Sequence, residues 1–132
     1  MVPRIILPIF LCLASFVVHA QPRAQYTPDE YLKNFALSTC LAKGFPESDL
    51  ALDAKAAAGG YVELGAYDAE AYMESLQIVD QFLARTYKSK NSDTPLTVMK
   101  CIDLYHSAEL QSLATRYRAA DLGQHQSSAT KK

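Results

Sequence analysis

The sequence has 132 residues, in which 13 lysines and arginines stand against 14 aspartates and glutamates, so that the formal net charge is −1. This length suits one domain rather than two, and the near-neutral charge provides no basic field with which to bind nucleic acid. Hydrophobic residues make up 49% of the chain, but many of them lie within its first twenty positions.

The first twenty residues have the three-part pattern of a secretory signal peptide. Arg4 supplies a positive charge, residues 5–18 form an apolar run, and Val18-His19-Ala20 provides a cleavage point before Gln21. The run is shorter than the roughly 20 residues that span a bilayer, and Cys12 lacks the small residues that precede a lipoprotein cysteine. We therefore expect residues 1–20 to be removed on export, with no stable membrane insertion afterwards. An uncleaved anchor is the alternative.

Cleavage leaves two cysteines, Cys40 and Cys101. In an exported protein such a pair more often forms a disulfide than a metal site or a catalytic thiol. A bridge that closes a loop of about 60 residues stabilises a fold by roughly 4 kcal/mol on the chain-entropy argument. We expect a Cys40–Cys101 disulfide, and two buried free thiols are the alternative.

The mature chain is expected to open with a flexible lead-in over residues 21–27, followed by a first helix. Thr27 can cap this helix, Pro28 suits its first position, and Glu30 completes a capping box. Apolar and small residues then recur at spacings of three and four, and Gly44 is the expected C-terminal cap. The predicted inner face consists of Leu32, Phe35, Ala36, Thr39 and Cys40.

A second helix is predicted after Ser48 and runs towards Leu64 through Gly59 and Gly60. Glycine in a helix interior costs about 1 kcal/mol relative to alanine. It is tolerated where a helix bends or where another backbone approaches closely. A break in the helix and close packing are both compatible with this pair, and we favour close packing.

A third helix is predicted over residues 69–87, where the apolar spacing is the most regular in the chain. Asp68 is placed to cap its N-terminus. Its predicted apolar face consists of Tyr72, Met73, Leu76, Val79, Phe82 and Leu83. A polar loop over residues 88–94 follows.

Thr94–Pro95 repeats the cap-then-proline pattern and predicts the start of a fourth helix. Ser107 can cap a fifth helix, which Gly123 is expected to end. The predicted inward residues are Val98, Cys101, Ile102 and Tyr105 in the fourth helix and Leu110, Leu113, Ala114 and Tyr117 in the fifth. No alternating strand pattern occurs, so the expected fold is all-α. It is a compact bundle of about five helices over residues 28–123, with a disordered tail at 124–132.

The sequence offers little support for catalysis or for a cofactor. His106, the one histidine outside the signal peptide and the tail, follows Cys101 by five residues, more than one helical turn. The metal-site spacings HExxH and CxxC are absent. Gly59–Gly60 lacks the preceding strand and the lysine of a phosphate-binding loop. We therefore expect no enzyme activity, no metal and no cofactor.

Eight tyrosines and no tryptophan make the aromatic composition unusual. Tyrosine is enriched at binding surfaces because it is amphipathic and loses little entropy when it is fixed. Each tyrosine can equally line the edge of the core with its hydroxyl in water. Around residues 59–67, where aromatic and acidic residues flank the glycines, the two interpretations remain open.

Three blocks of sequence resemble the amidase immunity proteins of type VI secretion systems. They are NFALSTCL at residues 34–41, AAGGYVELG at 57–65 and LTVMKCIDLYHS at 96–107. The similarity extends, in order, over about residues 30–118. The resemblance is to the group paired with the fourth family of NlpC/P60-like cell-wall amidase effectors.

This resemblance implies an all-helical, periplasmic protein without enzyme activity that binds a cognate peptidoglycan amidase effector. It also implies a homodimer that joins two amidase molecules in a two-plus-two complex and occludes the cleft that holds their catalytic Cys and His. Such an amidase cuts stem peptides between D-glutamate and diaminopimelate, so its inhibition protects the producing cell and its kin. The alternative function is a general periplasmic binding or chaperone-like helical module.

Two segments are the expected toxin-binding elements. One is residues 60–72, and the other is the polar loop at 88–94, although a loop of this length can also simply connect two helices. Gly59 and Gly60 suit close helix packing at the dimer interface. The individual candidates are Tyr61, Glu63, Tyr67, Glu70 and Tyr72 in the first segment and Lys88, Ser89, Lys90, Asn91 and Ser92 in the second.

Overall fold

The computed structural model describes the backbone of residues 25–129 and the side chains of residues 25–122, so the expected signal peptide lies outside the described residues. All regular structure in this part of the chain is helical, which confirms the all-α prediction. The helices are α1 (Pro28–Gly44), α2 (Asp49–Leu64), α3 (Ala69–Ala84), α4 (Thr97–Tyr105) and α5 (Ala108–Ala129).

Hydrogen bonds at two helix starts follow the predicted capping chemistry. The Glu30 N–H donates to Thr27 Oγ1 at 3.3 Å, and the Thr27 N–H donates to the Glu30 carboxylate at 2.7 Å. Because the Thr27 N–H and hydroxyl both donate to it, the Glu30 carboxylate has a pKa below its usual value. Ser107 Oγ accepts from the Leu110 N–H at 3.1 Å at the start of α5. Asp68 precedes α3 as expected, but its side chain makes no capping hydrogen bond.

The core lies where α1, α3, α4 and α5 meet, and a disulfide between Cys40 and Cys101 crosses it. This confirms the predicted bridge. Both cysteines are completely buried, and their Cα atoms are 5.6 Å apart although 61 positions separate them in sequence. The bridge therefore attaches α4 to α1 from inside the core. The large buried side chains around it are Leu32, Tyr72, Val79, Phe82, Leu104, Leu110 and Leu113.

The second helix packs chiefly against α1, through the small side chains of Ala51, Ala54 and Ala58. It continues without a break through Gly59 and Gly60, and a Cβ on either glycine would meet no heavy atom within 4 Å. The expected close packing at this pair is therefore wrong within one chain. The physical reason is that α1 lies against the alanine face of α2, which leaves the glycines at an uncovered surface.

Close packing occurs instead at Gly44, in the last turn of α1. A Cβ at this position would lie 2.3 Å from Thr97 Cγ2, so the end of α1 and the start of α4 approach more closely than a side chain allows. Gly44 is helical and Phe45 is the C-cap residue, so the prediction that Gly44 is the cap is wrong. Glycine at this position allows the end of α1 and the start of α4 to approach closely, and it does not form a left-handed turn.

Three predicted helix boundaries are also wrong. The third helix ends at Ala84 rather than at residue 87. The fourth begins at Thr97, because Leu96 has a left-handed backbone (φ 50°, ψ 42°) that turns the chain between Thr94–Pro95 and the helix. The fifth continues past Gly123 to Ala129, so neither the helix end at Gly123 nor a tail that starts at residue 124 is correct.

Some apolar residues expected in the core are exposed. Met73 on α3 and Val98 and Ile102 on α4 all lie at the surface. The inner face of α3 is filled instead by the small residues Ala71 and Ser75, beside Val79 and Phe82. Because α4 has nine residues and buries only the side that carries Cys101 and Leu104, its opposite side remains uncovered.

The disulfide leads to a first prediction. Replacing both cysteines (C40A/C101A) should lower the free energy of unfolding by about 4 kcal/mol, because the unfolded chain regains the entropy of an open loop. Urea denaturation checks this. Reduction of the native disulfide should lower the free energy of unfolding by a comparable amount, and the same reducing conditions should not change the stability of the variant. Equal stability of the oxidised and reduced native protein would contradict the prediction.

Candidate functional site

The two segments expected to bind a toxin lie at opposite ends of α3. The first precedes α3 and continues into its first turn, and the second follows its C-terminus. With 16 residues, α3 is about 24 Å long. The structure therefore does not combine the two segments into one patch, and each is a separate surface.

Tyr67, in the first segment, joins helices of the bundle to each other. Its hydroxyl donates to the Asp29 carboxylate and lies 3.3 Å from the carbonyl oxygen of Ala114. Asp29 also accepts from the guanidinium of Arg118 on α5, with Nε at 3.2 Å. Burial, and then the hydrogen bond to Asp29, raise the pKa of Tyr67 well above its usual value. The hydroxyl is thus already used to tie the start of α1 to α5.

Tyr72 belongs to the core, so the expectation that it faces a toxin is wrong. Its ring packs edge-on against Phe35, with centroids 5.2 Å apart, and the residue is 4% exposed. Its hydroxyl lies over Gly65, where a Cβ would come within 1.7 Å of the oxygen. That hydroxyl has no hydrogen-bond partner among the described residues, and burial raises its pKa.

A cluster of one exposed and two half-buried tyrosines remains at this end of the bundle. Tyr61 lies 6.2 Å from Tyr26 and 6.4 Å from Tyr31, measured between ring centroids, and Tyr26 and Tyr31 are 5.5 Å apart. We call these three residues the tyrosine cluster. The side chains of Glu63 and Glu70, which follow Tyr61 in sequence, are exposed. Sequence reasoning identified Tyr61 but missed Tyr26 and Tyr31, because only the packing of α2 on α1 brings their rings together.

The loop between α3 and α4 has a fixed base. The Tyr87 hydroxyl donates to Asp103 at 2.7 Å, and Lys100 Nζ donates to the carbonyl oxygen of Leu83 at 3.0 Å. The hydrogen bond to Asp103 raises the pKa of Tyr87. Lys100 is buried even though it carries a charge. These contacts attach both sides of the loop base to α3 and α4.

The outer part of this loop is held by its own hydroxyl groups. The Asn91 N–H donates to Ser89 Oγ at 3.3 Å, and the Ser92 hydroxyl donates to Thr94 Oγ1 at 2.7 Å. Lys88, Lys90, Asn91 and Ser92 are exposed, and Ser89 is half-buried. A cavity of about 420 Å³ lies beneath the loop, beside Arg85 and Lys100. All five candidates of this segment therefore lie on one polar loop.

Other titratable groups tie helices together. Glu74 on α3 accepts from the Tyr117 hydroxyl at 2.6 Å and from Arg116 at 2.5 Å, both on α5. These hydrogen bonds lower the pKa of Glu74 and raise that of Tyr117 to about 12. His106 is exposed, with its ring edge-on to Tyr105, and both cysteines of the described region are in the disulfide.

Neither a metal site nor a membrane-spanning helix is found in the part of the chain that the structure describes. No group of three or more His, Cys, Asp or Glu side chains there is placed to hold a metal ion. No helix there is long and apolar enough to cross a membrane.

The fold is similar to chains in several solved structures of type VI secretion proteins. A chain in the Tae4/Tai4 effector–immunity system of Salmonella typhimurium is 38% identical, with a TM-score of 0.65 over 70% of this chain and 90% of that one. A chain from type VI-secreted toxins and self-resistance proteins of Serratia marcescens is 25% identical, with a TM-score of 0.62 over 76% and 87%. A chain in the Tae4–Tai4 complex of Enterobacter cloacae has 18% identity and a TM-score of 0.62 over 70% and 94%, and this likeness concerns the fold alone.

These similarities associate the helical fold with effector–immunity systems. A match in sequence shows the family to which the chain belongs. The pattern of the Tai4 family, the amidase immunity proteins of the type VI secretion system, matches residues 30–114, which is more than half of the chain. The chain belongs to this family. No curated protein sequence matches it.

The contacts of Tyr67 generate a second prediction. Tyr67→Phe should lower the free energy of unfolding by about 1–2 kcal/mol, because Asp29 loses a buried hydrogen-bond donor. Tyr61→Phe is the matched control and should change stability by less than about 0.5 kcal/mol, as is usual for a surface change. Chemical denaturation of both variants tests this, and equal effects would show that the Tyr67 hydroxyl has no special structural role.

Proposed function

We propose that this chain is a periplasmic immunity protein that binds a cognate type VI secretion peptidoglycan amidase and occludes its active-site cleft. The family match over residues 30–114 is the observation that carries the proposal. It is supported by the complex of Tae4 from Salmonella typhimurium with Tai4 from Enterobacter cloacae, in which an effector and an immunity protein from two species are bound together.

The polar loop at residues 88–94 is the element best suited to enter a cleft. A catalytic cleft is concave, so blocking it requires a narrow projection, whereas the flank of a helix is broad. The serine and threonine hydroxyls fix the loop from within, and its base is attached through Tyr87 and Lys100. Each hydrogen bond that the loop already makes reduces the conformational entropy that is lost when a partner encloses it.

The tyrosine cluster, with Glu63 and Glu70, is the second proposed contact. It lies at the other end of α3 from the loop, so a single copy presents the two surfaces in different places. A homodimer would allow one amidase to contact the loop of one copy and the tyrosine cluster of the other. This arrangement is compatible with a two-plus-two complex.

The exposed face of α2 is the proposed dimer interface. Leu52, Ala56, Gly59 and Val62 follow helical spacing along one side of α2, and all four are exposed, Leu52 to 71%. The open space at Gly59 and Gly60 lets a second helix approach closely. Small residues with apolar neighbours allow two helices to pack at short axial distance.

Export to the periplasm is proposed from the signal-peptide pattern of residues 1–20 and from the buried disulfide. Disulfides persist in oxidising compartments such as the bacterial periplasm and are uncommon in the cytosol. The amidase substrate, peptidoglycan, lies in the same compartment. An inhibitor acts on a delivered toxin only where the toxin reaches its substrate.

The loop generates a third prediction, tested with the amidase encoded beside the gene for this chain. The mature protein (residues 21–132) should bind this amidase and inhibit its peptidoglycan hydrolysis. The K88A/K90A/N91A variant should weaken binding by at least about tenfold and should unfold at an unchanged temperature, because all three side chains are exposed. The control Q77A/Q81A changes exposed polar residues of α3 and should bind like the native protein.

Two results would contradict this function. One is a native protein that neither binds nor inhibits the neighbouring amidase. The other is weak binding to many unrelated periplasmic proteins without protection from that amidase, which would favour the chaperone-like alternative.

A fourth prediction concerns the dimer. The mature protein should sediment as a dimer, and Gly59→Leu should convert it to a monomer that folds normally, because the added side chain meets open space within its own chain. Ala119→Leu on the exposed surface of α5 is the control and should remain dimeric. Analytical ultracentrifugation decides the question, and a native monomer or a dimer that tolerates Gly59→Leu would exclude the α2 interface.

A further inference from the structure

An apolar groove on α4 has no role in the fold or in the function proposed above. Val98, Met99 and Ile102 are 49–52% exposed on one side of α4, and Phe45 and Pro95 complete a concave surface of about 630 Å³. We call these five residues the α4 groove. Contiguous exposed apolar surface of this kind is uncommon on a monomer and marks sites of interaction.

Nothing among the described residues covers this groove. The opposite side of α4 carries Cys101 and Leu104 into the core, where it packs against α1 and α3. The disulfide attaches Cys101 on the buried side of α4 to α1. The groove is therefore a fixed surface, shaped before any partner arrives.

The groove is continuous with the loop at residues 88–94. Thr94 and Pro95 line both the groove and the cavity beneath the loop, and α4 begins three positions after Thr94. At the junction, Leu96 has a left-handed backbone, which costs a residue with a side chain about 1 kcal/mol or more. This left-handed residue sets the angle between the loop and the start of α4.

We propose that the α4 groove receives apolar side chains from the rim of the amidase cleft. The inference rests on the function proposed above, in which the loop enters that cleft. A protein surface that surrounds the loop must also rest on the first turn of α4, because only Pro95 and Leu96 separate the two. The loop then blocks the cleft, while the groove supplies the desolvated apolar contact from which most binding energy comes.

The groove is distinct from the proposed dimer surface. The helices α2 and α4 both pack against α1, but the exposed apolar positions of α2 begin at Leu52, and those of α4 lie beyond the Leu96 turn. Because Thr94 and Pro95 line both the groove and the cavity beneath the loop, the occupant assigned to the groove is the amidase that surrounds the loop, and binding of a second copy is an outcome of the test below.

The test compares two double variants that make equivalent changes to exposed residues. M99Q/I102Q alters the groove, and M73Q/L122Q alters exposed apolar residues on α3 and α5, which are 63% and 57% exposed. Binding to the amidase encoded beside the gene is measured by calorimetry, with thermal unfolding as the check on folding. M99Q/I102Q should raise Kd by at least about tenfold, while M73Q/L122Q should remain within about twofold. At saturating concentration M99Q/I102Q should still inhibit fully, because its loop is intact.

Three other outcomes would contradict the inference, and each shows which proposal fails. If the native protein binds and inhibits but M99Q/I102Q has an unchanged Kd, the groove proposal fails and the proposed function stands. If M99Q/I102Q changes the sedimenting mass of the protein alone, a second copy occupies the groove and the proposal fails. If the native protein does not bind the amidase, both proposals fail together.

Discussion

The disulfide between Cys40 and Cys101 is the constraint on which the rest of the structure depends. It lies at the centre of the core and attaches the short α4 to α1, the helix that contacts every other helix of the bundle. A helix of nine residues has little stability of its own. Once α4 is held on α1, the base of the 88–94 loop and the direction of the α4 groove are fixed as well.

The surfaces proposed for binding lie on different parts of the bundle. The loop follows the C-terminus of α3, whereas Tyr61 of the tyrosine cluster lies in α2, before the N-terminus of α3. The α2 face is a third surface, left open because α2 packs chiefly against α1. A small domain can therefore offer a partner more than one contact.

The polar networks of the described residues connect helices of the bundle. Tyr67 with Asp29 and Glu74 with Tyr117 each connect helices that are distant in sequence. Burial, and then the hydrogen bond to Asp29, raise the pKa of Tyr67, and the hydrogen bond between Glu74 and Tyr117 lowers the pKa of Glu74 and raises that of Tyr117. Perturbed titration often indicates an active site. Here the groups concerned are already hydrogen-bonded to one another at the edges of the bundle. The surfaces that remain for a partner are the loop, the tyrosine cluster and the exposed apolar faces.

The helical class, the capping box at Thr27, the Cys40–Cys101 pair and the family resemblance could be predicted from the sequence. Helix periodicity, capping and cysteine pairing depend on local or paired residue types. Packing between helices, in contrast, selected which residues of the predicted apolar faces are buried. Tyr72 is buried, whereas Met73, Val98 and Ile102 are exposed. Packing also left Gly59 and Gly60 open and placed Gly44 against Thr97. The tyrosine cluster and the left-handed backbone of Leu96 could likewise not be predicted from the spacing of residues in the sequence. The physical reason is that periodicity defines the faces of a helix, whereas burial depends on which neighbouring helix covers each face.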